Sequence, residues 1–166
     1  MMLSILMAAI IGLRPMAGDN TAQVVEAVSR LGDGDTLRFE KGEYHFHEKD
    51  GKDLFQASPG SQTGMKKVLV HLKGLKDVTV DGGDSHFVFH ENIFPFVFEN
   101  CERVKLRGFT SDVAQLSVVE FVCEEKSKEG FLCRFTTKTI PYAVDDRGVI
   151  TFTFDGGSVS SESQEI

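Results

Sequence analysis

The feature that most constrains this chain is a repeat. Leu75–Gly82 can be laid on Cys101–Gly108, 26 residues later, with apolar residues matching at the first, fourth and sixth places and glycine at the eighth. A coil of short strands that stacks in register on its neighbour has about that length, within the roughly 20–45 residues typical of solenoid repeats. A chance match in a Val- and Gly-rich chain is the alternative reading. The flanking segments favour the coil. Thr36–Phe39 alternates, Glu43–Phe46 follows the Lys41-Gly42 turn, and Lys67–Leu72, Val78–Val80, His86–His90, Phe94–Phe98 and Val104–Leu106 each read as short strands. No helix intervenes between them, which excludes a doubly wound α/β sheet. The pattern predicts an all-β chain built on a parallel β-helix.

One helix is expected ahead of these strands, over Asn20–Leu31. Val24, Val25, Val28 and Leu31 fall at helical spacing, Asp19 or Asn20 can cap the start, and Gln23 stands where a capping-box side chain reaches back. Gly32 and Gly34 end it. Such a helix would close the N-terminal end of the coil stack through Val24, Val28 and Leu31. Near residue 113 the pattern changes. Leu116–Cys123, Phe131–Thr137 and Val149–Phe154 alternate across charged turns, the mark of antiparallel hairpins. The predicted organisation is therefore an apolar segment over 1–17, coils with their capping helix over 18–112, antiparallel strands of an incomplete insertion over 113–155, and a Ser- and Glu-rich tail, disordered, over 156–166.

Composition narrows the partners. With 18 Lys and Arg against 25 Asp and Glu, the formal charge is −7, which speaks against nucleic acid or an anionic membrane surface. The 14 Phe are expected as core ladders, because stacked coils place like side chains above one another; a sugar platform more often uses Trp, and there is none. Cys123 and Cys133 can sit across a hairpin, so one bridge is possible on export; the alternative is three buried thiols acting as small hydrophobes. Met1–Leu13 is too short to span a bilayer comfortably. It suits the apolar core of a secretory signal with Ala17 before the cut, yet no Lys or Arg precedes it, and a buried first strand would look the same. Secretion or periplasmic export thus stays open beside a strand remnant.

Few residues announce chemistry. His45 and His47 alternate with Tyr44 and Phe46, so they share the outward face, but no third ligand lies near in sequence and no metal site is expected. His86 and His90 flank Phe87 and Phe89 on the opposite face from those rings. There is no nucleophile elbow, P-loop, dinucleotide fingerprint or paired CxxC, and no cofactor is expected.

The runs Phe39–Lys49 and Lys66–Asp112, above all the His90-Glu91 pair after the Asp81-Gly82-Gly83 turn, then Glu99-Asn100-Cys101, then Phe109–Asp112, resemble the start of glycoside hydrolase family 110. The resemblance reaches back over Gly12–Pro15 and forward loosely to about Phe154. It departs from the family at Pro59-Gly60-Ser61, where a polar His-Asp pair is expected. It implies a right-handed parallel β-helix interrupted by β-barrel insertions, and an α-1,3-galactosidase that releases terminal α-linked galactose with inversion. If Gly12–Pro15 match the family's first loop, cleavage after Ala17 would remove part of the fold. The family's catalytic aspartates lie in later coils, so none is expected in this chain, which reads as an N-terminal fragment inactive alone; a galactose-terminated glycan is the implied partner of the full-length enzyme. Inverting hydrolysis needs a protonated carboxyl and a carboxylate about 6.5–9.5 Å apart. Asp81, Asp84, Glu91, Glu99 and Asp112 stand near turns; Asp112 matches a family aspartate and, with His90, is the candidate sugar contact, against the plainer reading of a turn-capping aspartate and a solvated strand end. A non-catalytic carbohydrate-binding or adhesin-type β-helix and a pectate lyase-like enzyme are the alternatives, the latter weakened by the lack of a clustered Asp set for Ca²⁺.

Overall fold

Segments 26 residues apart in the sequence lie side by side in space. A computed structural model describes residues 8–57, 63–115, 119–128, 130–135, 140–154 and 157–160 of the chain. Strand β1 (Ile10–Leu13) runs parallel to β2 (Thr36–Phe39), with Ile10 opposite Thr36 and Leu13 opposite Phe39. Farther along, β5 (Gly64–Lys73) runs parallel to β7 (Phe94–Glu99), and β6 (Thr79–Phe89) to β8 (Lys105–Val113). Val68 meets Phe94, Lys76 bridges to Glu102, and Val80 meets Leu106. The parallel pairing expected from the two copies of the repeat is present, and the same spacing holds at Ile10, a copy the sequence reading missed.

One coil is longer. Thr36 pairs with Thr79 and Glu43 with His86, 43 residues apart instead of 26. The extra length carries a 3-10 turn at Glu48–Asp50 and β4 (Lys52–Gln56), which runs antiparallel to β5. β2 and β3 (Glu43–Phe46) do not form a hairpin at Lys41-Gly42. They follow one another along a single edge of the long β6, which joins β1, β2, β3 and β8 into one parallel sheet. The second sheet has the order β4-β5-β7.

Gly82 and Gly83 bend β6 between its two halves. Gly83 has φ +58°, and a Cβ there would collide with the Phe39 carbonyl oxygen; one on Gly82 would stand 2.6 Å from the Gly108 carbonyl oxygen. Only glycine allows both that backbone and that approach. The bend shifts the register with β8 by two residues, from Asp81 opposite Arg107 to Ser85 opposite Phe109.

The core is aromatic, as the Phe count predicts. Phe39, Tyr44, Phe46, Phe87 and Phe89 are buried, and the Phe87 ring lies 4.8 Å from both Phe39 and Phe109, which in turn meets Phe96. The ladder is not universal: Phe55, Phe94, Phe98 and Phe121 are exposed.

The helix α1 (Thr21–Ser29) is shorter than expected but docks as expected, with Val24, Val28 and Leu31 buried and packed in the same cluster as Leu69 and Val70 of β5. Its start differs. Gln23 does not accept from the Asn20 amide but donates to the Asn20 side chain and the Arg14 carbonyl, while Asp19 accepts from the Thr21 amide. Asn20 is fully buried because it serves the preceding loop, accepting from the Met16 amide and donating to the Gly18 carbonyl.

The chain divides into two compact units, Met1–Val113 and Ala114–Ile166. In the second, β9 (Phe121–Lys126) and β10 (Phe131–Phe135) form an antiparallel hairpin, and β11 (Tyr142–Val144), β12 (Ile150–Phe154) and β13 (Gly157–Ser160) an antiparallel sheet. Within the expected tail, Gly157–Ser160 is strand; the rest of 156–166, like 1–7, 58–62, 116–118 and 136–139, lies outside the described residues. The all-β expectation holds. The expectation of three buried thiols does not: Cys123 is exposed, and Cys101 and Cys133 are half-buried.

Candidate functional site

Alternation along β2, β3, β6 and β8 sends apolar side chains inward and polar ones outward, so parallel register turns separate sequence segments into one polar face. Arg38, Asp81 and Arg107 form one row across the strands, Glu43, His86 and Thr110 a second, and His45, Val88 and Asp112 a third. His47 and His90 extend the face beyond the last row.

In the first row, Asp81 accepts from Arg38 at 3.3 Å and Arg107 at 3.0 Å. The Gly83 amide, with both guanidiniums, holds the Asp81 carboxyl below its ordinary range against the cost of burial. In the second, His86 Nδ1 and the Thr110 hydroxyl are 2.9 Å apart.

The most connected group lies at the third row and beyond. His45 Nε2 is 3.0 Å from Glu43 Oε1, and its Nδ1 is 2.9 Å from His90 Nε2. With His45 neutral and donating to Glu43, its Nδ1 accepts from His90 Nε2–H. The His47 ring stacks on His90 at 4.0 Å and donates through Nδ1 to Glu91 Oε1 at 3.0 Å. Glu91 also accepts from the Glu48 amide. Partial burial pushes the Glu91 carboxyl up, but the Glu48 amide and His47 outweigh it, and the group settles below the ordinary carboxylate range. Among the described residues, no group of His, Cys, Asp and Glu has the geometry to hold a metal ion.

Of the remaining candidate acids, Asp84 lies within β6 with a left-handed backbone at φ +59°, and Glu99 is used structurally, as are other carboxylates of the chain. Asp77 and Arg103, both at left-handed turn positions, pair bidentately at 2.6 and 2.7 Å. Lys73, with His71, holds Glu99 low. Arg14–Glu40, Lys73–Glu99, Lys76–Glu102, Asp77–Arg103 and Asp81–Arg107 all join residues 26 apart. These carboxylates tie segments 26 residues apart to one another.

Of the two candidate sugar contacts, His90 belongs to the His–Glu group. Asp112 does not sit at a turn: it lies within β8, exposed on the same outward face, with Oδ1 on the Val113 amide. Sequence reading placed His45, His47 and His90 outward but missed that they meet, because the 43-residue step hides the pairing of β3 with β6. The signal was present in the alternation of Tyr44 and Phe46, which repeats at Phe87 and Phe89.

No family model matches the chain. Curated relatives do. The alpha-1,3-galactosidase B of Phocaeicola vulgatus is 33% identical over 122 residues, 66% of this chain and 21% of the relative. The alpha-1,3-galactosidase B of Bacteroides thetaiotaomicron is 24% identical over 150 residues, 87% of this chain and 24% of the relative. The alpha-1,3-galactosidase A of Shewanella woodyi is 28% identical over 134 residues, 72% of this chain and 22% of the relative. The chain thus spans about a fifth to a quarter of the length of these relatives. At the level of family, then, the chain resembles the alpha-1,3-galactosidases of glycoside hydrolase family 110.

Proposed function

We propose that this chain corresponds to the N-terminal section of a glycoside hydrolase that releases terminal α-1,3-linked galactose with inversion, and that the section is a right-handed parallel β-helix serving as scaffold. The single observation that carries the scaffold reading is the use of its carboxylates as ties between coils. An inverting enzyme needs one carboxyl raised so that it stays protonated and another placed to hold water. Here Asp77, Asp81, Glu91, Glu99 and Glu102 all move down, each held ionised by a neighbouring amide or cation. The catalytic pair then comes from other coils. Rigidity is what this section supplies, since effective catalysis depends on holding two carboxyls in fixed geometry. His90 and Asp112, on one outward face, are the contacts it offers a galactose-terminated glycan.

The test has two arms. The purified chain, given a p-nitrophenyl α-galactoside and a blood-group-B-type trisaccharide, releases no galactose above the uncatalysed rate; robust release would overturn the scaffold reading. In the second arm, the matching section of the B. thetaiotaomicron relative is replaced by this one. A folded chimera retains galactose release, and a folded chimera without it would show that the section does not belong to such an enzyme.

A further inference from the structure

The antiparallel pairing of β9 with β10 sets Cys123 directly opposite Cys133, Cα partner to Cα partner. Residues so opposed in an antiparallel pair have Cα atoms about 4.5–5.5 Å apart and side chains on one face. A disulfide spans Cα separations of about 4.4–6.8 Å, so no backbone movement is required to close one. The register shifts at the Leu132/Cys133 step, where Glu124 is the extra residue on β9. Such a bulge increases local twist and frees the strands to adjust their side-chain directions. Both thiols are free, Cys123 exposed and Cys133 half-buried. Partial burial, together with Cys123 and Glu124, pushes the Cys133 thiol up, which agrees with the two sulfur atoms being neighbours.

We propose that Cys123 and Cys133 form a cross-strand redox pair, which a low-molecular-weight disulfide oxidises to a single intramolecular disulfide that staples β9 to β10. The order follows from exposure. The Cys123 thiolate attacks the external disulfide, forms a mixed disulfide and releases one small thiolate. The Cys133 thiolate then attacks the Cys123 sulfur and releases the second. The pair loses two electrons and two protons, and the external disulfide gains them as two thiols. Cys101 takes no part; its thiol donates to the Glu99 carbonyl in the other unit. The staple has a mechanical consequence, because a two-stranded hairpin is marginal without further support. Phe135, two residues past Cys133, packs at 5.3 Å on Phe152, so a fixed hairpin also holds the aromatic contact to β12.

The full chain is equilibrated with graded ratios of oxidised to reduced glutathione, quenched with acid, denatured, alkylated and digested. Mass spectrometry is expected to find a linked Cys123–Cys133 peptide, with alkylation of both residues falling together and three alkylated thiols per chain becoming one. Cys123→Ser and Cys133→Ser each leave the other cysteine as a glutathione adduct, and Cys101→Ser leaves the ratio at half-oxidation unchanged. Amide exchange over 121–135 slows on oxidation in the native chain and not in the Ser variants. Independent alkylation of the two cysteines, glutathione adducts alone on the native chain, or a link involving Cys101 would overturn the pair. A link that leaves amide exchange unchanged would overturn the staple.

Discussion

Tyr44 shows how one side chain ties distant segments together. Its ring is fully buried, and its hydroxyl, among the bonds it makes, donates to the Glu40 carbonyl at 2.8 Å and lies 3.0 Å from that of Leu13 on the neighbouring coil. Burial, with the Glu40 charge adding to it, pushes the phenol up to about 12. Because the folded value lies above the unfolded one of about 10, the neutral phenol's contribution is complete below pH ~10 and is lost as pH rises towards 12. Tyr44→Phe is expected to cost about 1 kcal/mol at pH 7 by removing the hydroxyl's hydrogen bonding, while the Leu13 carbonyl keeps the Glu40 amide and the Glu40 carbonyl keeps the Ser85 hydroxyl. In urea titrations between pH 9 and 12, the variant should lose stability less steeply than the native chain. Glu91 works with the opposite sign. Its folded pKa is depressed, so its contribution is present above about pH 4.5 and is lost as pH falls through the folded value. Glu91→Gln should cost about 1 kcal/mol at pH 7 and flatten the acid limb of the stability profile, read as thermal midpoints from pH 7 to 3.

The helix and the strands were legible to different degrees. Helical spacing of Val24, Val28 and Leu31 gave the docked face of α1 correctly, since burying apolar residues on one side is what the spacing encodes. The cap was legible in part: Asp19 accepts from the Thr21 amide, but Asn20 answers to Met16 and Gly18, whose backbone groups no local pattern reveals. Val28→Asp is expected to cost on the order of 3 kcal/mol, because it places an unpaired charge at a nearly closed position. The exposed Ala22→Asp should be nearly neutral. Equal thermal midpoints for the two variants would show that α1 does not dock through this face. β4 escaped notice because its five residues, Lys52–Gln56, show no clean alternation, whereas β1 was legible as a first strand beside the signal reading.

At the scale of the whole molecule, the two sheets present an apolar edge. β7 and β8 have a strand neighbour on one side among the described residues, and Phe94, Phe98, Leu106 and Val113 along them are 38%, 40%, 40% and 48% exposed. Their register partners on the neighbouring strands, Val68, Leu72, Val80 and Phe89, are buried. An apolar strip of this kind drives association. The chain is expected to self-associate with rising concentration in sedimentation velocity and to bind a hydrophobic dye. Phe98→Lys combined with Leu106→Lys should reduce both while changing stability by less than about 1 kcal/mol. Unchanged association in the double variant would place the sticky surface elsewhere.

Local information was enough for the alternation of strands, the helix face, the aromatic core and one instance of the 26-residue step, because each is a pattern of neighbouring side chains seeking burial. The family resemblance was also carried by contiguous runs. The polar face could not be read so. Its members come from β2, β3, β6 and β8, and which of them meet depends on a pairing step lengthened from 26 to 43 residues and on a two-residue shift at the Gly82-Gly83 bend. Parallel register is fixed by packing across coils and not by any local preference, so the contact of His45 with His90, and the pairing of charges from coil to coil, exist only once the chain is wound.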